Sequence, residues 1–314
     1  MNEKIKIIFV VGPTASGKTA LGVNIAKAVN GEIISADSMQ VYKDMHIASA
    51  AASKEEQCGI PHHLLEFLPY GEKFTVYGYV KAAREAAREI AARGKIPVTV
   101  GGTGLYVNSL IDNIEYCEEN GSEEVRKRLE AEYDANGGEH MLAVLRSFDP
   151  DSAAALHPND RRRIVRALEI AETTGLTKAQ QKQISRQNES PFIPTVIGIT
   201  YKDRQKLYDR INARVDIMME NGLLEEARAA YLRKESGTRG AVQAIGHKEF
   251  FSFFEGEITL DEAVENLKRQ TRRYAKRQLT WFGARDDINW IYADSDNVLS
   301  SAKRILERQG YRFE

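Results

Sequence analysis

Cysteine is scarce in this chain: its 314 residues hold two, Cys58 and Cys117, far apart and without a C-x-x-C pair. That excludes a disulfide framework and gives no zinc-ligand spacing. Long hydrophobic runs are missing as well, and no apolar stretch reaches the length of a bilayer span. The apolar run nearest the N-terminus is short and stops at a glycine, so nothing reads as a signal peptide. Charge of one sign is not in excess, since 44 Lys+Arg against 45 Asp+Glu leave a net charge of −1. This excludes a globally basic nucleic-acid binder and leaves room for a local basic surface. The expectation is a reduced, cytoplasmic protein. A hydrophobic content of 42% suffices for a buried core, and the length fits one large domain or two ordinary ones.

The most informative stretch is IKIIFVVGPTASGKTAL, Ile5 to Leu21. A β-branched run ends at Gly12, and GPTASGKT then fits the P-loop pattern G-x-x-x-x-G-K-[ST], with Gly12, Gly17, Lys18 and Thr19 in the fixed places. Glycines let successive backbone N–H groups face a phosphate, and the following helix presents its positive end to the same anion. Lys18 supplies a point charge, and the Thr19 hydroxyl is a ligand for Mg²⁺. Which phosphorylated molecule is held does not follow from the motif.

Two further strand ends stand out. Ile33 and Ile34 read as a short strand, with Asp37 and Ser38 just past its end. In open α/β sheets that edge is where ligands bind. Asp37 there is either a general base or water-mediated Mg²⁺ ligand, or a plain helix cap, and spacing alone leaves both open. Ile96 to Val100 reads as a buried strand before a turn with Gly101, Gly102 and Gly104, which carries the free hydroxyl of Thr103. Between these lie His62 and His63, whose adjacency on a strand argues against a metal pair, and a strong amphipathic helix from Val76 to Arg93. Repeated strand–helix units predict a parallel sheet with helices on both faces.

From about Glu115 the character changes to charge-rich helical segments without a convincing strand. Val125, Leu129 and Tyr133 share one helical face, and Met141, Leu142 and Leu145 another. Arg161, Arg162, Arg163 and Arg166 crowd the start of a helix whose buried side holds Ile164, Val165 and Leu168. Cations there oppose the helix dipole, which points to an outside anion, with a solvated face as the alternative. A core strand resumes at Thr195–Thr200 after a proline-bearing linker. A helix follows over Arg204 to Met219, with Leu207, Ile211, Val215 and Met218 inward and Arg210 and Arg214 on a neighbouring face. Lys268, Arg269, Arg272, Arg273, Lys276 and Arg277 then recur at helical spacing ahead of Trp281 and Phe282. Basic side chains beside aromatics fit a nucleic-acid footprint; a solvated face is the alternative, and the second basic cluster at Arg161 to Arg166 favours the former.

GPTASGKT at Gly12, ISADSMQVY from Ile34, GIPHHLL from Gly59, VGGTGLY from Val100, HPNDRRR from His157, the Gly246-His247 turn and KRQLTWF from Lys276 occur in order along essentially the whole chain. Together they resemble the tRNA dimethylallyltransferase (tRNA isopentenyltransferase) family, in the bacterial form without a zinc-finger extension. The resemblance implies an α/β fold: a P-loop NTPase-like parallel sheet core over 1–114 and 192–314, with a helical insertion domain over 115–191 that contacts tRNA. It implies transfer of a dimethylallyl group from its diphosphate to the exocyclic amine of the adenosine 3′ of the anticodon. Gly12, Pro13, Thr14, Ala15, Ser16, Gly17, Lys18 and Thr19 would then hold the donor diphosphate, with Mg²⁺ at Thr19.

By the same resemblance, Asp37 is similar to the family's general base, and Thr103 to a residue touching the reacting adenosine. The tRNA-contacting positions would be Asp37, Ser38, Met39, Gln40, Thr103, Arg126, Arg162, Arg163, Ile164, Val165, Arg166, Gln243, Gly246, His247, Lys248, Lys276, Arg277, Gln278 and Trp281. The run of arginines at 161–163 is more basic than the family pattern requires. Arg210 and Arg214 are candidates to approach the diphosphate. Expected partners are a tRNA anticodon stem-loop and dimethylallyl diphosphate, with no membrane and a monomer as the default. A P-loop small-molecule kinase explains the first hundred residues nearly as well, but not the basic helix or the insertion. A non-catalytic RNA-binding protein would make Asp37 and Thr103 incidental.

Overall fold

The computed structural model describes residues 4–114, 116, 122–177, 180, 183–184, 189–234, 239–242 and 244–313. Among them, six strands form one all-parallel sheet: β1 (Ile5–Val11), β2 (Gly31–Ser35), β3 (His62–His63), β4 (Ile96–Gly101), β5 (Phe192–Thr200) and β6 (Ile288–Tyr292). Their order is β3-β2-β4-β1-β5-β6. Central β1 pairs with β4 on one side, Ile8 opposite Val98, and with β5 on the other, Ile8 opposite Thr195. A strand with two neighbours and both faces covered must be apolar throughout. Ile7 to Val11 are accordingly buried, which is why the sequence there runs rather than alternates.

Ile8 and Val10 pack with the helices Lys18–Ala28 and Val298–Arg308 in one core cluster. The helix Val76–Ala92 buries Val80, Ala83, Ala87 and Ile90 against the same strands, and the Thr75 hydroxyl caps its N-terminus by accepting from Gly78 N–H. Because β2, β4 and β1 are adjacent and parallel, their C-terminal ends deliver Asp37, the Gly101–Gly104 turn and the P-loop to one edge.

β2, next to the edge strand β3, carries a buried carboxylate. Glu32 on β2 accepts from Arg93 at 2.7 Å and Lys95 at 3.0 Å, and pairs with Nε2 of His63 on β3 at 2.7 Å. His62 faces away and bonds the Ile60 carbonyl, so the two histidines diverge. Burial pushes the Glu32 carboxyl up, but the hydrogen bonds from His63, Lys95 and Arg93 outweigh this and hold it down at about 2. A carboxyl depressed in the fold stabilises it above the unfolded-state value and loses that contribution as pH falls through the folded-state one. Glu32→Gln should therefore cost about 3 kcal/mol at pH 7 in denaturant titrations. The difference from the parent should shrink between pH 4.5 and 2.

The chain divides into two compact units, Met1–Ile111 with Pro191–Glu314, and Asp112–Ser190. The second is helical in its described residues: Glu123–Phe148, with a non-helical break at Gly137, then Pro150–Ala154 and Arg161–Thr174. Leu129, Met141, Leu142, Leu145, Ile164, Val165 and Leu168 form its core, with Val125 and Tyr133 packed on it. The two apolar faces seen in the sequence thus meet in one cluster. Ile164 and Val165, expected among the tRNA contacts, are 0% and 3% exposed. Their side chains hold the unit together and offer no surface to RNA.

The arginines around them are largely answered within the unit. Arg161 bonds Asp134, Arg163 lies 3.8 Å from Asp160, and the fully buried Glu169 takes both Arg126, at 2.9 Å, and Arg166, at 2.8 Å. Among the described residues of that cluster, Arg162 is exposed and makes no ion pair. The opposition between these cations and the helix dipole is therefore met mainly by neighbouring carboxylates.

Candidate functional site

The P-loop backbone depends on two glycines. Gly17 sits in the left-handed region, φ 92°, directly before the helix Lys18–Ala28. At Gly12 an added Cβ would overlap the Ile199 carbonyl of β5. The first N–H groups of the helix have no partner inside it and face forward, and among the described residues the buried Ser16 hydroxyl makes no hydrogen bond. Arg210 reaches across to donate to the Ala15 carbonyl at 3.1 Å.

The neighbouring strand ends are locked to this loop by close backbone packing. A Cβ on Gly101 would overlap the Ala36 carbonyl, one on Gly102 the Gln278 amide, and one on Gly104 the Trp281 ring. That is the reason for three glycines in the turn. Thr103 Oγ1 accepts from the Ser38 N–H at 2.9 Å, joining the turn to the segment after β2. Asp37 uses one carboxylate oxygen to accept from Met39 N–H at 2.9 Å. Its other oxygen takes no hydrogen bond among the described residues.

Two helices complete the walls, Arg204–Glu220 and Leu260–Phe282. Arg272 bonds Asn212 at 2.5 Å and Lys268 bonds Asp216 at 2.7 Å, so the pair runs antiparallel. Their polar ends meet the P-loop. Gln278 accepts from Thr14 N–H at 2.8 Å and donates to the Gly102 carbonyl at 3.0 Å, bolting the loop to the glycine turn. Farther along, Val215, Met218 and Leu267 are apolar. The cavity, open to solvent on one side, measures about 330 Å³ and is lined by these groups together with Lys18, Thr19, Asp37 and Arg214.

Its electrostatics are unusual. Burial pulls the Lys18 ammonium down to about 8, with Asp37 opposing the shift and Arg214 adding to it. Burial likewise lowers Arg214, with Glu56 and Asp37 opposing and Arg210 adding. Two cations that sense each other are thus desolvated in one cavity, both of them acted on by the Asp37 carboxylate, and an anion there would relieve both. Tyr274 is pushed up by burial and by Asp37, so it stays a hydroxyl and can donate. Tyr79 and Tyr106, stacked with centroids 3.9 Å apart, are raised by burial and sense Asp37 too.

Thr14, Ala15, Lys18, Thr19, Asp37 to Gln40, Gly246, Lys248, Arg277 and Gln278 all line this one cavity. Gln278 is only 4% exposed and spends both ends of its amide on backbone, so it organises the site from beneath, where the sequence had placed it among the tRNA contacts. His247, also expected to meet tRNA, is fully buried and bonded to Glu226. Trp281 is 43% exposed and packs on the Gly104 turn. Lys276 and Arg277 are exposed, whereas Lys268 and Arg272 of the same basic series turn inward to the neighbouring helix. Gln243 lies outside the described residues. Sequence reasoning missed Tyr274 and Glu226. The period of Leu267, Thr271, Tyr274 and Gln278 on one helix face was the available signal for the first.

Known proteins resemble this chain over nearly its whole length. The IPP transferase family model matches residues 40–286, and an isopentenyl transferase model matches residues 5–66. A tRNA dimethylallyltransferase of Thermoanaerobacter sp. (strain X514) is 46% identical over 303 residues, covering 96% of each chain. One of Bacillus cereus (strain AH187) is 43% identical over 97% of this chain and 95% of that one. Among solved structures, the tRNA isopentenylpyrophosphate transferase of Bacillus halodurans has a TM-score of 0.72 at 42% identity, with 98% and 97% coverage. A eukaryotic dimethylallyltransferase that acts on tRNA has a TM-score of 0.79 at 28% identity, covering 96% of this chain and 78% of that one. With most of its length matched by the family model and by relatives of this identity, the chain belongs to the IPP transferase family.

Proposed function

We propose that this enzyme transfers a dimethylallyl group from dimethylallyl diphosphate to the exocyclic N6 amine of the adenosine immediately 3′ of a tRNA anticodon, releasing diphosphate. The observation that carries the reading is the pair of desolvated cations, Lys18 and Arg214, facing Asp37 in one cavity. A diphosphate at the polar end would sit against the P-loop N–H groups and both cations. The dimethylallyl group would then extend toward Val215, Met218 and Leu267, and the flipped adenine would enter beside Asp37 and Thr103.

In the reaction the bond between the allylic carbon and the diphosphate oxygen breaks, and a bond from N6 to that carbon forms. Asp37 takes the amine proton, and the departing negative charge stays on the P-loop donors, Lys18 and Arg214. A neutral adenine amine is a weak nucleophile, so holding it beside a base and an allylic carbon of growing cationic character supplies much of the rate. For magnesium, no group of three or more metal-ligating side chains is brought together among the described residues. Thr19 and Asp37 do share the cavity. That donor set fits Mg²⁺, which keeps several waters and takes phosphate oxygens as ligands. Bound there, it would add positive charge to stabilise the leaving diphosphate.

The near-full-length relatives are tRNA dimethylallyltransferases, which disfavours the kinase alternative. The test is to incubate the protein with Mg²⁺, dimethylallyl diphosphate and unmodified tRNA, then examine the digested nucleosides by mass spectrometry. A prenylated adenosine at the anticodon-adjacent position is expected. No product from folded, tRNA-bound protein would overturn the reading. Replacing exposed Lys276 and Arg277 by Ala should weaken tRNA binding and reduce the slope of log K against log salt by about one for each. An unchanged affinity and slope would remove this helix from the RNA interface.

A further inference from the structure

We propose that Glu226 is a positioning residue for the acceptor side of the cavity, fixing the Ala48–Ala50 wall and the Gly246 turn and, through them, the Gln40 amide beside Asp37. This rests on the reading that the acceptor nucleoside enters next to Asp37.

Glu226 lies in the first turn of the helix Leu223–Leu232. One carboxylate oxygen accepts from Ile47 N–H at 2.8 Å; the other accepts from Ala48 N–H at 2.9 Å and from Nε2 of His247 at 2.9 Å. The short helix His46–Ser49 has no side-chain cap of its own, so these bonds supply what its orphan donors need. On its other side, the Ser49 and Ala50 carbonyls accept from the Gln40 amide at 3.3 and 3.1 Å, while Ser35 donates to the Gln40 oxygen at 3.1 Å. The two walls also touch. Gly246 holds φ 106°, and an added Cβ would come within 2.9 Å of Ala48 Cβ. Ala48, Ser49, Ala50, Gly246 and Gln40 all line the cavity.

Burial pushes the Glu226 carboxyl up, but the bonds from His247, Ala48 and Ile47 outweigh it and hold it below the usual range. It is therefore ionised at neutral pH, and all three partners are donors to it. A glutamine could present only one oxygen, and its NH₂ would oppose at least one of those donors. His247 is fully buried, and among the described residues its Nδ1 has no partner, so there its ring is held from one end by Glu226. Between the Glu226 carboxylate and the Gln40 amide the contacts run through the backbone of Ile47 to Ala50, so a shift at one end moves the other.

The experiment is a double-mutant cycle on steady-state kinetics, with tRNA and donor varied separately. Glu226→Gln should raise the KM for tRNA about tenfold while leaving the KM for dimethylallyl diphosphate within about twofold. If Glu226 acts through Gln40, adding Glu226→Gln to Gln40→Ala should change the tRNA KM little beyond Gln40→Ala alone. Effects that multiply, or equal changes in both KM values, would overturn the proposal and leave Glu226 a purely structural carboxylate. Melting temperature is followed in parallel. Should Glu226→Gln fail to fold, His247→Leu, whose volume is nearer that of the imidazole, removes one of the three bonds and enters the same cycle. Dissociation constants for tRNA without donor repeat the cycle independently of transfer. Absence of prenylated product from the parent enzyme would therefore overturn the proposed reaction without being mistaken for failure of the bracket.

Discussion

Asp37→Asn is expected to keep tRNA bound while lowering turnover by about 10²–10⁴-fold. The asparagine oxygen can still accept the Met39 N–H that Asp37 accepts at 2.9 Å, so the turn into the cavity survives. What is lost is an ionised oxygen able to take a proton from the adenine amine. Removing the charge also has a secondary effect of definite sign. Asp37 supports the protonated form of Lys18, so in the variant Lys18 releases its proton at lower pH. Donor affinity should then weaken on the alkaline side sooner than in the parent. The comparison belongs near pH 6.5, where Lys18 carries its charge in both. Single-turnover prenylation with saturating tRNA measures the chemical step, and near-parent rates would remove Asp37 as the base.

Lys18 carries the second large effect. Replacing it by Gln removes the point charge from the P-loop and should cost about 3 kcal/mol of donor binding, roughly a hundredfold in Kd, with a further loss in turnover as charge grows on the diphosphate. In the parent, an ammonium lowered by burial to about 8 is charged at neutral pH and progressively neutral above it. Diphosphate binds the charged form better, so affinity should hold below pH 8 and fall as pH rises through it. Its decline should approach tenfold per pH unit until the bound-state value is reached. Calorimetric titration with inorganic diphosphate reads this directly, and Lys18→Gln should flatten it. A parent profile flat to pH 10 would mean that the ammonium is not the group that meets the anion.

How much of this was legible before folding depends on how far apart the cooperating residues lie. The P-loop could be read because one contiguous segment, Gly12 to Thr19, supplies strand end, glycines, lysine and hydroxyl in a fixed frame. The helices Val76–Ala92 and Arg204–Glu220 could be read because burying one face imposes a period on neighbouring residues. Asp37 shows the limit. Spacing allowed a base, a water-mediated Mg²⁺ ligand or a helix cap; in the structure one oxygen closes a turn rather than capping a helix, and the side chain also lines the cavity.

The Arg161–Arg166 cluster shows another limit. An uncompensated run of cations in the sequence finds Asp134, Asp160 and Glu169 once the helices pack. Two of its neighbours, Ile164 and Val165, are core, because a motif fixes a stretch of chain while helical geometry decides which of its side chains turns outward.

By itself, then, the sequence determined the phosphate loop, the parallel α/β class, the helical insertion and, through its spread of motifs, the family. Those depend on residues near one another along the chain, where backbone geometry sets the rule. Tertiary structure alone decided that Gln278 bolts Thr14 to Gly102, that Arg214 shares its desolvated site with Lys18, and that Glu226 ties Ala48 to His247. Each of these joins segments apart in sequence, and only the folding of the whole core brings them together.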